Sequence, residues 1–309
     1  MRRSILFVRT YGGMTGGHLK VWHYFHHVLS TSDWDARCVF APESRLDEQC
    51  IWWADRDRVL QQFPAQTPDV LLLGGRDWET VDRFAPHLLR APVINLVQHV
   101  RHAEPGTPRY HWLRRPAVRI CVSPEVEHAV RKTGIANGPL VQIRSGLDLA
   151  ELSAAAADTR EIDCLILGVK NLTLAGQVAQ CLSRAGLRLE LVSDTIARGT
   201  LLQKLGRARV ACVLPNRTEG FYLPALEAMA TRTLTICPDC IGNRSFCRDG
   251  ETCLMPTFEA PALAAAVLQA LAMPAEARQR MLESAARVAG EHDLSRERAA
   301  FLAVLRQVG

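Results

Sequence analysis

No stretch of this sequence is apolar over a membrane-spanning length, and no block of Lys and Arg or basic stripe interleaved with aromatics interrupts it. Near the start only Ile5 to Val8 is continuously apolar before Arg9, too short for a signal-peptide core or a span. A cytoplasmic protein is therefore expected. The missing basic stripe argues against nucleic acid as a partner. Internal repeats and low-complexity segments are absent too, which removes repeat arrays and disordered tails. There is no Gly-Lys-Ser/Thr P-loop, no G-x-G-x-x-G fingerprint and no second CxxC or His pair to complete a zinc site with Cys237 and Cys240.

What is present is an ordinary globular composition. The chain has 309 residues, 48% hydrophobic and 22% charged, enough for two domains each with its own core. A net charge of +5 suits an anionic small ligand or an anionic membrane surface. Of ten cysteines, Cys38, Cys121, Cys164, Cys212 and Cys237 lie inside apolar runs, where a thiol acts as a small hydrophobe, and that usage points to a reducing compartment. The group in "CPDCIGNRSFCRDGETC", residues 237–253, is expected to supply buried or loop thiols.

Short runs rich in Val, Ile and Leu recur between amphipathic stretches: "SILFV", "ARCVFA", "DVLLLGG", "PVINLVQ", "VRICVS" and "PLVQI", then "DCLILG", "LRLELVS", "ARVACVLP" and "TLTICPD". They are too short for helices and too continuous for half-exposed strands, so they predict buried strands of parallel sheets with helical crossovers. The fold class is α/β, doubly wound. The Ala-rich, charged stretch 144–163 breaks the strand rhythm and is expected to link a Rossmann-like domain over 1–147 to a second over 148–292. The tail is helical by pattern from about Pro274 to Val308, and its last helix, about 293–309, is expected to pack back on the first domain.

Ligands of open α/β sheets bind beyond the carboxyl ends of the strands, so the residues after each run carry the chemistry. After the first comes "RTYGGMTGGHLKVWHYF", where Gly12, Gly13, Gly16 and Gly17 crowd before a helix with an apolar stripe at Leu19, Trp22, Phe25 and Leu29. Such glycines serve either a tight turn or close approach of a phosphate or acceptor. His18 is expected to cap that helix or lie on its surface, and His23, His26 and His27 to lie on its surface. After "PVINLVQ" comes His99, a structural residue or an acid/base group, in a loop with solvated Arg101, His102 and Arg109. After "DCLILG", Lys170 beside Gly168 offers a cation for a phosphate. After "ARVACVLP" comes "TEGFYLPALEAMA", with Glu219 in a loop and Glu227 in the first turn of a helix that Pro224 opens. A carboxylate there can accept from two vicinal hydroxyls, while the helix amides hold a diphosphate. Trp22, Trp52 and Trp53 fit a membrane-surface or acceptor patch or, more simply, core packing.

The stretch "EGFYLPALEAMA" resembles the E-G-F/Y-x-x-x-x-x-E-A-M-A motif of the retaining GT-B glycosyltransferases that use nucleotide sugars. "QIRSGLDLAEL", "TLTICPDCIGNRSFCRDGETCLM" and "YGGMTGGH" resemble further segments of that family in the same order. The resemblance implies two Rossmann-like domains facing a cleft, the first for a glycan, lipid-linked or small-molecule acceptor and the second for a nucleotide-sugar donor. It implies ribose contact for Glu227, sugar contact for Glu219 and His99, and donor contact for Gly168, Gly220, Phe221, Tyr222 and Leu223. It also implies transfer with retention, with no metal and no cofactor beyond the donor, and peripheral contact at the inner membrane surface. Where the family carries an Arg and a Lys on the diphosphate, this sequence has Val169 and Ala175, so Lys170, Arg144, Arg217 or Arg244 is expected to supply that charge. The remaining rivals are a nucleotide-sugar epimerase, a sugar phosphorylase and a non-catalytic nucleotide-sugar binder.

Overall fold

The computed structural model describes residues 2–13, 15–48, 50–157 and 159–308. In it the apolar runs pair side by side, because a strand buried on both faces needs apolar residues at every position and neighbours for its backbone. The chain divides into two compact units, residues 1–145 with 295–309, and residues 146–294.

The first unit contains β1 (Arg3–Arg9), α1 (Gly16–Leu29), β2 (Trp34–Phe40), β3 (Val59–Leu60), β4 (Val70–Gly74), α2 (Asp77–Phe84), β5 (Val93–Val97), α3 (Pro108–Trp112), β6 (Val118–Cys121), α4 (Pro124–Lys132) and β7 (Leu140–Gln142). The strands form one parallel sheet in the order β3-β2-β1-β4-β5-β6-β7. The order reverses between β1 and β4, the switch point where doubly wound sheets open a crevice.

The expected surface of α1 is a correction. His23 and His27 are buried along with Lys20, Tyr24, Phe25 and Val28, whereas His26 lies at the edge and bonds Asp55 at 3.0 Å. The reason is a helix 270 positions away in sequence, α11 (Leu294–Val308), which closes over it within the same unit. Phe301 packs on Tyr24 with ring centroids 4.6 Å apart. Glu297 accepts from Lys20 Nζ at 2.5 Å and pairs with His27 Nε2 at 3.0 Å. Burial alone would raise the Glu297 carboxyl, and the Lys20 charge with His27 outweighs it and holds the group below the ordinary carboxylate range. Trp52 is wholly buried and Trp53 is exposed.

The second unit contains α5 (Leu149–Ala155), β8 (Ile162–Leu167), α6 (Leu172–Leu182), β9 (Leu189–Val192), α7 (Arg198–Arg207), β10 (Ala208–Val213), α8 (Leu223–Ala230), β11 (Leu234–Ile236), α9 (Ala260–Leu271) and α10 (Ala275–Gly290). Its strands are parallel in the order β11-β10-β8-β9, with the reversal between β8 and β10. The stretch expected to be a linker holds α5 instead: Asp148 caps it by accepting from Ala150 N and Glu151 N, and Leu152 is buried. Gly206 lets α7 lie against it, since a Cβ there would stand 1.8 Å from Ala155 O. Cys237, Cys240, Cys247 and Cys253 are buried free thiols. No single helix among the described residues is long and apolar enough to cross a membrane.

Candidate functional site

The carboxyl ends of β8 and β10 flank the switch point of the second unit, and the loop leaving β10 carries Asn216 to Tyr222 into α8. A short 3₁₀ turn, Ile241–Asn243, fixes that loop from behind. Ile241 N donates to Arg217 O at 3.1 Å, and Tyr222 N donates to Gly242 O at 2.9 Å. Position 242 must be glycine at this approach, because a Cβ would lie 2.8 Å from Phe221 N and 2.9 Å from the Glu219 carbonyl. The turn is held by buried Asn243, whose side chain accepts from Cys240 N at 3.1 Å and donates to Pro238 O at 3.0 Å.

Glu219 is thereby held in a defined pose, only 8% exposed. Its Oε1 accepts from Asn216 N at 3.2 Å and Asn216 Nδ2 at 3.0 Å, and stands 3.4 Å from Lys170 Nζ. Lys170 is half exposed at the end of β8, where Asn171 N turns back to Gly168 O at 2.8 Å. Gly168 is itself buried, and a Cβ on it would meet that of Ala175 at 2.3 Å. Its smallness serves the approach of α6 to the strand. Ala175, where the resemblance implies a lysine, is wholly buried in that contact.

After Gly220 the loop turns inward. Phe221 packs tilted against Phe246 and His292 at centroid distances of 5.2 and 5.5 Å, and Tyr222 and Leu223 are buried. Burial pushes the Tyr222 hydroxyl well above its ordinary range, so it stays protonated. The side chains of Tyr222 and Leu223 fill the core, so a donor contact at these positions falls to their backbone. Pro224 lies in the first turn of α8, and among the described residues no side chain caps that turn.

Glu227 is the fifth residue of α8, past the first turn in which it was expected, and 2% exposed. Such burial of a carboxylate demands a partner, and Arg198 at the start of α7 supplies it, Nη1 donating to Glu227 Oε1. Arg198 Nε donates to Glu151 Oε2 on α5 at 3.2 Å. Burial pulls the Arg198 guanidinium down, but the two carboxylates outweigh it and raise it above its ordinary value.

The remaining expected cations separate. Arg244 is exposed and forked onto Asp239 at 2.9 and 2.7 Å. Arg144 is exposed and belongs to the first unit. Arg217 lies 4.3 Å over the Phe258 ring, beside a cavity of about 400 Å³ lined with Asn171, Thr173, Gln177 and Asn216.

In the first unit, Gly12 and Gly13 are exposed in the loop after β1, and Gly13 takes φ +142°, where only glycine is comfortable. Gly16 and Gly17 are not loop residues but open α1, behind the Thr15 cap. His18 is partly buried: its Nδ1 lies 2.9 Å from Arg9 Nη2, and Arg9 Nη1 donates to buried Asp77 at 2.5 Å. A guanidinium only donates, so Nδ1 accepts and Nε2 carries the proton. Burial, then the Arg9 charge, lowers His18 to about 4. His99 caps a 3₁₀ turn, its Nδ1 accepting from Arg101 N at 3.1 Å. His102, expected in solvent, is buried, and burial followed by Arg109 lowers it to about 3.

Sequence reasoning missed Arg198 and Asn216. Both follow strand ends, β9 and β10, so the rule that led to Lys170 also leads to them. Their partners were not readable, because Arg198 and Glu227 are 29 positions apart.

Residues 146–273 match the family model of the group 1 glycosyl transferases. No curated protein matches the sequence. Among solved structures, HepE from Anabaena in complex with UDP and glucose superposes with a TM-score of 0.75 at 13% identity over 99% of this chain and 100% of that one. A glycosyltransferase from Rickettsia africae gives 0.71 at 10% over 99% and 98%. Sucrose-phosphate synthase from Thermosynechococcus elongatus gives 0.69 at 16% over 99% of each chain. The chain thus has the α/β fold of the GT-B glycosyltransferases, and its second unit carries the match to group 1 of the glycosyl transferases.

Proposed function

We propose that the protein is a retaining glycosyltransferase that moves a sugar from a nucleoside-diphosphate sugar, with uridine diphosphate as the leading carrier, to a glycan, lipid-linked or small-molecule acceptor. The observation that carries the reading is the pair of buried carboxylates on one loop-helix unit at the switch point, Glu219 beside Lys170 and Glu227 beside Arg198. The likeness to a fold seen with UDP and glucose supports it. In this reading Glu227 accepts from the ribose, the start of α8 and Lys170 take the diphosphate, and Glu219 addresses the sugar. Gly12 and Gly13 are proposed to approach the acceptor.

The chemistry asked of the site is stabilisation of charge as it moves. The bond from the anomeric carbon to the phosphate oxygen breaks with its electron pair going to the phosphate. Helix amides and a lysine placed beforehand lower the cost of that charge. The acceptor oxygen bonds to the same face of the carbon and its proton passes to the leaving phosphate. No side chain serves as a covalent nucleophile, and the two glutamates do different jobs, unlike a glycosidase pair. The reading assigns the diphosphate's charge to Lys170 and the amides, so turnover is expected to survive chelation of divalent cations. A net charge of +5 suits a cytoplasmic protein that meets an anionic membrane surface.

The test is a transfer assay over a panel of nucleotide sugars, with the anomeric configuration of the product read by NMR. Retained configuration supports the reading, and inversion overturns its mechanism. A second reading, a non-catalytic nucleotide-sugar binder, is favoured by the burial of Ala175 where a phosphate-binding lysine would stand. Selective thermal stabilisation by nucleotide sugars without transfer over an acceptor panel would establish it.

A further inference from the structure

The ion pair on Glu227 changes what that carboxylate offers to a ligand. Its Oε1 is taken by Arg198 Nη1, and Oε2 has no protein partner among the described residues. On the other side Arg198 spends Nη1 on Glu227 and Nε on Glu151, and the two N–H groups of Nη2 have no partner among the described residues. The guanidinium is planar, so Nη2 lies in the same fork that grips Glu227. The side chain of Arg198 retains 19% exposure and that of Glu227 3%. One free acceptor and one free pair of donors are thus held beside each other at the carboxyl edge of β9 and β10.

We propose that Arg198 is a positioning and specificity residue for the nucleoside, forming with Glu227 a paired donor and acceptor that reads the two ribose hydroxyls in opposite roles. One hydroxyl donates to Glu227 Oε2, and the other accepts from Arg198 Nη2. The inference rests on the nucleotide-sugar reading given above, and it alters it. A carboxylate alone accepts from both hydroxyls and tolerates any group that donates. The pair found here needs one hydroxyl as an acceptor, and it demands an arginine, because lysine retains the charge but has no second nitrogen in a fixed fork. Glu151 belongs to the arrangement as the group that stops the guanidinium from rotating about its stem.

The experiment is calorimetric titration of the full chain with UDP, 2′-deoxy-UDP and 3′-deoxy-UDP, in wild type, Arg198→Lys, Arg198→Gln and Glu151→Gln. Wild type should lose about 10- to 100-fold in affinity for each deoxy analogue, the scale of one charge-assisted hydrogen bond. In Arg198→Lys and Arg198→Gln the penalty for one of the two analogues should vanish while the other persists through Glu227. Glu151→Gln should keep both penalties, since the amide oxygen still accepts from Arg198 Nε and holds the guanidinium in place. A purely structural arginine predicts equal weakening of all three ligands with unchanged ratios, and that result overturns the proposal. Arg198→Lys guards against loss of fold, because it keeps a cation for the buried Glu227. A wild type that binds none of the three overturns the nucleotide-sugar reading as well, whereas binding with unaltered ratios overturns Arg198 alone.

Discussion

Gly242→Ala isolates the geometry of the loop from its chemistry, because it touches no charged group. The added methyl carbon would stand 2.8 Å from Phe221 N and 2.9 Å from the Glu219 carbonyl, all backbone atoms that no rotamer change moves. Ordinary contact starts near 3.4 Å, so either the 3₁₀ turn or the loop must retreat by about 0.5 Å, at an overpacking cost of about 1–3 kcal/mol. The retreat loads the two backbone bonds that hold the loop, from Ile241 N and Tyr222 N. Glu219 rides on that loop, whereas Glu227 sits inside α8 and is tied to Arg198. A shift approaching 1 Å at a reacting group costs up to about 100-fold in rate. Gly242→Ala should therefore lower turnover about 10- to 100-fold while leaving the affinity for UDP within about threefold. Steady-state kinetics of sugar transfer, calorimetry with UDP and a urea melt measure the three quantities. Wild-type turnover in a folded Gly242→Ala variant refutes the reasoning, because the distances then do not govern the pose of Glu219.

Lys170→Ala should lower kcat/KM about 10- to 100-fold in the same assay if the lysine meets the diphosphate; unchanged turnover moves that role to Arg217. Glu297→Gln should destabilise the first unit by about 3–5 kcal/mol in a urea melt, because Lys20 is left charged and buried; a loss below about 1 kcal/mol would show that the cation escapes to water. His18 and His102 are lowered from 6.5 to about 4 and about 3, so both are neutral in the fold at pH 7. The unfolded chain binds their protons first as the pH drops, so the stability they permit is complete above pH 6.5 and is lost on the way down through 4 and 3. His18→Gln should flatten the pH dependence of stability between 6.5 and 4 by about one proton's worth of slope; an unchanged slope would count against the burial of that ring.

The sheets were legible because their central strands hold unbroken apolar runs, as in Leu71–Leu73, and burial on both faces needs such a run. β3 escaped because two residues, Val59 and Leu60, sit beside charged neighbours, with pairing supplied by Cys38 and Val39 far off in sequence. α5 was hidden by its own composition: alanines and charges are common to linkers and to short helices, and only the cap at Asp148 and the contact at Gly206 decide between them. His23 and His27 looked like surface because their burial depends on Glu297 and Phe301, distant in sequence. In the site, the sequence placed Glu219 outside and Glu227 inside one helix, as the structure has them. It was silent on Arg198 and on Gly242, since neither a salt-bridge partner nor the room for a Cβ is written in local pattern. The inward turn of Tyr222 and Leu223 was equally hidden, because an apolar residue near a glycine suits a core and a ligand face alike.

The contact between α1 and α11 also carries a consequence for the order of assembly. Lys20 and His27 meet Glu297 across 270 positions or more, with the whole second unit between them in the chain. A ribosome builds from the amino end, so the second unit is complete before the residues that finish the core of the first are made. Until then two polar side chains and the ring of Tyr24 wait without their cover. The first unit is begun first and closed last, because its core waits on contacts of very long sequence range.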